Sequence, residues 1–411
     1  MKKDFKKWSK LSLGGLIAVV AFSSVGFANE TALEKDVNVP YGSSSVEPIE
    51  APEPKAEKKW DYHLHLGVSS VYDDNISLRP DHEVGDFIWT ISPGAGIEFG
   101  QEMGEGAHLL LDYTANIIRF MDETSNNSVD HAGEILFGYT FNKLSVGLEQ
   151  RITTLSDAVV DVGTRLKRQI YDTRLTAKYD VSDKTYVDWM GSQLVTDADT
   201  GFSDKIEWNT GLFLNYRVLP KVTLGIGPKF GWIDASQQGN QDYQQALARL
   251  LWDPTAKLSF TAEGGVERRD FQDSTVPERW TPVAALGATY NPFDSTQISA
   301  RAYRGVTNSL SLAAENYVTA GGKLSIKQRL IQKFFCGLSG SYEVSDYYRT
   351  SAPVVVVNRE DKLFTVRPSI GYDISEWGTI EAFYFYRDND SNQDPNDFDN
   401  HQAGVNFKAV F

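Results

Sequence analysis

The fold is decided by the last twelve residues, Asn400-His-Gln-Ala-Gly-Val-Asn-Phe-Lys-Ala-Val-Phe411. Ala403, Val405, Phe407, Ala409 and Phe411 are apolar, Gly404, Asn406 and Lys408 are small or polar, and Val410 is the one lapse. Period two of this kind gives a strand with one greasy and one polar face. In a soluble sandwich it would be an ordinary half-buried strand. In a membrane barrel it would be the closing strand, paired with the first because lipid offers no partner to an open edge. The rest of the chain has to choose.

Working back towards the N-terminus, short alternating runs follow one another, at about 61–71, 86–99, 107–119, 131–141, 144–153, 168–180, 184–194, 206–218, 221–233, 242–252, 257–268, 279–290, 296–304, 316–327, 333–344, 362–373, 378–387 and 400–411. Each is about the length that a tilted strand needs to cross a bilayer. Eighteen such runs predict an antiparallel up-and-down transmembrane β-barrel, all-β, with 16 to 20 strands if run boundaries slip. The connections sort by parity. Tight links carry Asn142-Lys143, Ser182-Asp183, Leu219-Pro220, Asp253-Pro254, Asn291-Pro292 and Ser375-Glu376, whereas the alternate links, such as 72–85, 154–167, 305–315 and 345–361, are longer. Short turns on one rim and long loops on the other suit a barrel inserted from the periplasm.

Composition agrees. The 411 residues carry a net charge of -15, 12% aromatics, 33 glycines and one cysteine, with no apolar stretch after the N-terminus long enough for a helical span. The acidic balance excludes a phosphate-binding surface, so no nucleic-acid partner is expected. Lys2, Lys3, Lys6, Lys7 and Lys10 precede an apolar run, Leu11 to Phe27, that exits through Gly26-Phe27-Ala28. That order of features predicts a cleaved signal peptide over residues 1–28 and export to a bacterial outer membrane. Its removal leaves 35 basic against 54 acidic residues, a mature charge near -19. Residues 29–60, with Pro40, Pro48, Pro52 and Pro54 and no apolar periodicity, read as a disordered periplasmic linker, and 61–411 as the barrel.

Face assignment places Val222, Leu224, Ile226, Phe230 and Trp232 opposite Thr223, Gly225, Gly227 and Lys229, and Leu258, Phe260, Ala262 and Val266 opposite Lys257, Ser259, Thr261, Glu263 and Glu267. Apolar side chains outward and charges inward invert a soluble core, which could not hold so many charges. Tyr171 with Tyr179, Trp208 with Tyr216 and Trp280 with Tyr290 fall on the apolar face at strand ends. Their separations, roughly 20–25 Å along tilted strands, fit the two aromatic girdles of such a barrel.

Two stretches, Val71-Tyr-Asp-Asp-Asn-Ile-Ser-Leu-Arg-Pro80 with Asp86-Phe-Ile-Trp-Thr-Ile-Ser-Pro-Gly94, and Tyr384-Phe-Tyr-Arg-Asp-Asn-Asp-Ser-Asn392 with the closing Phe411, resemble the opening and last hairpins of the beta-barrel porin type 2 family. The two motifs cover about a tenth of the chain. The resemblance implies an outer-membrane barrel, sometimes associated with exopolysaccharide production. It assigns no functional residues.

Candidate chemistry lies on the inward face. Arg151, Arg174, Arg301, Lys323 and Arg367 with Asp112, Glu149, Asp172 and Glu263 are candidate pore-lining charges, able to set selectivity or merely to brace the lumen. Phe407 and Phe411 form the candidate insertion signal, with barrel-insertion machinery and outer-membrane lipid as partners by analogy with such barrels. Asp388, Asp390, Asn392, Asp394 and Asp399 echo a calcium loop, although Gln393 stands where the turn glycine belongs. Ca2+ on this outer loop is the one cofactor candidate. His63 and His65 share the inward face, but a metal needs further ligands that spacing does not name, so polar lumen lining is the plainer expectation. Cys336 falls on the lipid face. No nucleophile elbow, phosphate loop or H-E-x-x-H is present, so no enzyme is expected. The leading expectation is passive diffusion of small hydrophilic solutes, the second a closed or plugged barrel serving surface-polysaccharide export. A homo-oligomer or polysaccharide-assembly partners fit either.

Overall fold

The structure, a computed structural model, describes residues 60–100, 106–199, 201–236, 239–311, 315–350 and 359–411. The signal-peptide segment and all of the linker segment but Trp60 lie outside them. Eighteen strands follow in order: β1 (Trp60–Asp73), β2 (Asp86–Gly100), β3 (Gly106–Phe120), β4 (Ser128–Thr140), β5 (Leu144–Val159), β6 (Thr164–Asp180), β7 (Thr185–Ala198), β8 (Lys205–Leu219), β9 (Val222–Ala235), β10 (Gln241–Thr255), β11 (Leu258–Phe271), β12 (Arg279–Phe293), β13 (Thr296–Asn308), β14 (Glu315–Ile331), β15 (Phe334–Arg349), β16 (Glu360–Ser375), β17 (Gly378–Ser391) and β18 (Phe398–Val410). Two 3-10 turns, Thr124–Asn126 and Asp394–Asn396, sit in the outer connections.

Every strand pairs antiparallel with its sequence neighbours, and β1 pairs with β18, so the sheet closes on itself. Closure sets Leu66 against Ala409 and Val68 against Phe407. It ends with Leu64 and Phe411 exchanging backbone hydrogen bonds at 3.0 and 2.8 Å. A closed sheet leaves no ladder groups facing lipid, which is why this alternating sequence can span a membrane. The outer face carries the greasy half of each strand, with Leu224, Ile226, Phe230 and Trp232 of β9 all exposed.

The strands run further than the alternation alone suggests. β5 continues to Val159 and β6 begins at Thr164, so a connection expected over 154–167 shrinks to four residues. The added residues rise above the apolar belt, where both faces are polar or covered and the period-two signature fades. Trp60 opens β1 rather than ending the linker. A second correction concerns the tight links. Asp253-Pro254 and Asn291-Pro292 lie inside β10 and β12, at register shifts between Trp252 and Thr255 and between Tyr290 and Phe293. Similar shifts occur near the turns at the ends of β8, β14 and β16. Proline has no N–H for the ladder, and a bulge is where a strand tolerates that loss.

Candidate functional site

The lumen face gathers charge in sectors. Register sets Glu134, Arg151 and Asp172 side by side across β4, β5 and β6, and beneath them Glu149 against Arg174. Arg151 bonds Glu134 and Glu149, both at 2.7 Å, while Arg174 reaches Glu149 at 2.8 Å and Asp172 at 3.8 Å. A second cluster joins Arg249 to Glu263 at 2.9 Å and Asp188 at 3.2 Å, with the guanidinium 3.8 Å over the Phe213 ring. A third pairs Arg367 with Glu381 at 2.8 Å. Arg301 and Lys323 are cross-strand neighbours on β13 and β14. Asp112 meets His63 and His65. All nine charges singled out above therefore face inward, but the bonds join wall neighbours within a sector. Glu134, Asp188, Arg249 and Glu381 were missed, although each has the inward parity of its strand.

Access divides these clusters. Arg151 and Arg174 keep 26% and 23% of their side chains exposed, so water reaches them, whereas Arg168 and Arg269, nearer the loop rim, keep 1% each. Folded-in connections make the difference. β13 leaves its neighbour early: its pairing with β12 stops at Arg304 opposite Ala284, yet its pairing with β14 continues to Asn308 opposite Asn316. Beyond that point the hairpin is free of β12 and turns into the mouth as a tongue, with β14 still paired to β15 as far as Glu315 opposite Arg349. Asn308 and Asn316, on the face that would otherwise look outward, hydrogen-bond Arg269 and Gln241 of the inner wall. Val306 and Val318 on that face are 2% exposed.

The tongue's other face meets the β5–β6 hairpin. Asp161 at the hairpin tip accepts hydrogen bonds from the Ser309 hydroxyl at 2.8 Å, the Leu310 N–H at 2.7 Å and the Tyr347 hydroxyl at 3.1 Å. Leu310 packs with Val159 and Leu166, and its carbonyl accepts from Ser203 N–H at 3.0 Å. The first outer loop adds Leu78, fully buried against Leu363 and Phe398. Its φ of 52° is a left-handed backbone that an apolar side chain rarely adopts. Asn75 secures the loop by donating to Arg79 and Asp399 carbonyls at 2.8 and 3.1 Å. Together these segments cap the outer half of the lumen.

Under the cap lies a chamber walled by β1–β3, β5–β6 and β16–β18. Three arginines reach it, each stacked on a phenylalanine: Arg165 on Phe120 at 4.8 Å, Arg367 on Phe383 at 4.4 Å and Arg387 on Phe385 at 5.9 Å. Asp73 and Asp157 are the acids among its walls. The sequence shows these side chains but not that strands at opposite ends of the chain share one cavity.

On the outside, Tyr179, Trp208, Tyr216, Trp280 and Tyr290 are exposed, and Tyr171 shares their face. Cys336 shares the outward face with Phe334 and Leu338. Phe411 stacks on Trp377 with ring centroids 6.0 Å apart, and Phe407 of β18 faces outward beside it. Of the acidic outer-loop residues, Asp388 and Asp390 sit on β17 and Asp399 opposite Asp388 on β18. Asn392 spends its carbonyl oxygen on Glu360 N–H at 2.9 Å, and Asp394 starts the 3-10 turn. Among the described residues, His63, His65 and Asp112 form a group whose candidate ligand atoms lie within 4.8 Å of one another.

A closed antiparallel sheet with a greasy, aromatic-flanked exterior and an ion-paired interior defines a transmembrane β-barrel of the outer-membrane kind. No protein-family model matches the sequence, and no curated protein does. Solved structures that it resembles include a BenF-like porin from Pseudomonas fluorescens Pf-5, with 10% identity, TM-score 0.46 and coverage of 85% of this chain and 99% of that one. Another is OccK3 (OpdO) of Pseudomonas aeruginosa, with 12% identity, TM-score 0.45 and coverage of 85% and 96%. OccAB4 of Acinetobacter baumannii gives 10% identity, TM-score 0.44 and coverage of 87% and 100%.

Proposed function

We propose that the protein is a porin-like channel of the outer membrane through which small hydrophilic solutes diffuse. The water-reachable ion pairs of the mid-lumen, with Arg151, Glu149, Arg174 and Asp172 all partly exposed in an eighteen-stranded wall, carry this reading. An eighteen-stranded wall is wide enough for an aqueous path, and a merely structural filling would have no use for charges left open to water at this depth. Purified protein in planar bilayers is expected to give stepwise conductance, and complete silence would sink the reading. Glu149→Gln removes a carboxylate shared by Arg151 and Arg174. It should move the reversal potential in a salt gradient towards anions, and an unchanged potential would take this cluster out of the conduction path.

The inward-turned loops favour a second reading, in which the barrel is shut and serves surface-polysaccharide export, as the resemblance of the two hairpins to the beta-barrel porin type 2 family also suggests. A deletion strain that lost exopolysaccharide without any change in solute permeability would support that reading against diffusion. Phe407 and Phe411 serve the insertion machinery in either case. Ca2+ is proposed only at the outward acids Asp388, Asp390 and Asp399, where it would bridge the rim to lipid phosphates.

A further inference from the structure

We infer that His63, His65 and Asp112 form a binding site for one divalent transition-metal ion, open to the lumen near the turn rim. The inference is independent of whether the channel conducts.

His63 and His65 sit on β1 and Asp112 on β3, with β2 between them. Both imidazoles cross the intervening strand to one carboxylate oxygen, His63 Nε2 at 3.3 Å and His65 Nε2 at 3.2 Å from Asp112 Oδ2. Crossing a strand needs a gap in it, and β2 supplies one. Register puts Gly96 beside His63 and Asp112, and Gly94 beside His65. A Cβ at Gly94 would lie 2.0 Å from His65 Cε1, and one at Gly96 2.3 Å from His63 Cε1 and 2.8 Å from Asp112 Oδ2. Any other residue at either place would occupy the space in which the rings lie.

Two nitrogens and an oxygen in this arrangement match a 2-His-1-carboxylate donor set. Ligands about 2.0–2.1 Å from a tetrahedral centre are separated by about 3.3 Å, and the contacts to Asp112 have that length. In the metal-free arrangement the carboxylate oxygen can only accept, so each Nε2–H donates to Asp112 Oδ2. A metal ion would displace those two protons, leaving the His65 proton on Nδ1, which is buried and has no hydrogen-bond partner. His65 is 7% exposed and Asp112 13%, while His63 at 35% faces the lumen and leaves the remaining coordination positions to water. Lys408, on β18 next to β1, also acts electrostatically on Asp112 and balances its charge when the metal is away. A bound ion would tie β1 to β3 beside the seam, where His65 pairs with Val410.

The test uses the full chain in detergent, free of affinity histidines, titrated with Zn2+ and with Co2+. One ion per chain is expected, with affinity falling at least tenfold in His65→Gln and in Asp112→Asn, and unchanged in His131→Gln, whose ring lies on the outer face against Tyr113. Should a variant fail to refold, Co2+ on the unaltered barrel decides, since a nitrogen–oxygen site of low coordination number gives intense visible absorption that hydrated ion lacks. Absence of binding, or binding equal in Asp112→Asn, His65→Gln and the parent, would overturn the site.

Discussion

Asp161→Ala is expected to raise single-channel conductance at least twofold while leaving the barrel's resistance to denaturation nearly unchanged. Asp161 is the acceptor that joins the β5–β6 hairpin to the tongue through Ser309 and Leu310, and to the adjoining β15 through Tyr347. Alanine leaves those donors without a partner, and each buried orphan costs about 1–3 kcal/mol. The tongue stays hinged to the wall by its β14–β15 ladder and is otherwise held inward by Leu310 against Val159 and Leu166 and by side-chain bonds to the wall, so the loss of several kcal/mol favours its swinging outward about that ladder. Wall pairings do not involve the Asp161 side chain, hence the separation of conductance from stability. Equal conductance and equal current noise in variant and parent would show that the tongue is not the closing element.

The same carboxylate gives the closure a pH dependence whose sign can be worked out. Burial pushes the Asp161 pKa up, while Arg359 nearby and the hydrogen bonds from Leu310, Ser309 and Tyr347 pull it down, and the net direction is up. Glu315 of the tongue also faces this group. In the withdrawn state Asp161 would be solvated and ordinary, near 3.9. A group whose pKa is raised in the closed state favours closure fully below the ordinary value and loses that contribution as pH rises through the raised one. Acidification should therefore lower conductance, and Asp161→Asn should flatten the response. A conductance that rose on acidification in the parent would contradict the assignment.

Strand number and facing were legible because lipid imposes a rule on every second residue, and the rule holds from Leu64 and Leu66 to Val405 and Phe407. Where lipid stops, so does legibility. Thr154 to Val159 extend β5 unseen because Leu155, Asp157 and Val159 face other protein inside the mouth. Gly305 to Asn308 read as loop because the tongue is covered on both faces. The lumen charges were legible by parity one at a time, as with Arg151 and Glu149. Their partners were not, since a bond such as Arg249 to Asp188 spans 61 residues of sequence. His63 and His65 show the same limit: their shared face could be read, but Asp112 lies 49 residues beyond His63.

Phe411→Ala should lower the amount of barrel assembled in the outer membrane several-fold and leave the conductance of each assembled channel unchanged. The backbone of Phe411 completes the seam by bonding Leu64 in both directions, and alanine retains those bonds. What it removes is the ring, which stands 68% exposed on the outer face at the turn rim and stacks on Trp377. An aromatic at that height is worth about 1.5–3 kcal/mol when apolar surroundings take it up. It touches no lumen charge. In the finished barrel this is a small part of the total, because the closed ladder of eighteen strands holds the wall. If β18 inserts as an edge before its ladder to β1 forms, the ring would be much of what holds the end of that strand at the membrane surface. A variant that assembled at normal yield but conducted differently would place Phe411 in the channel's mechanism and remove it from insertion.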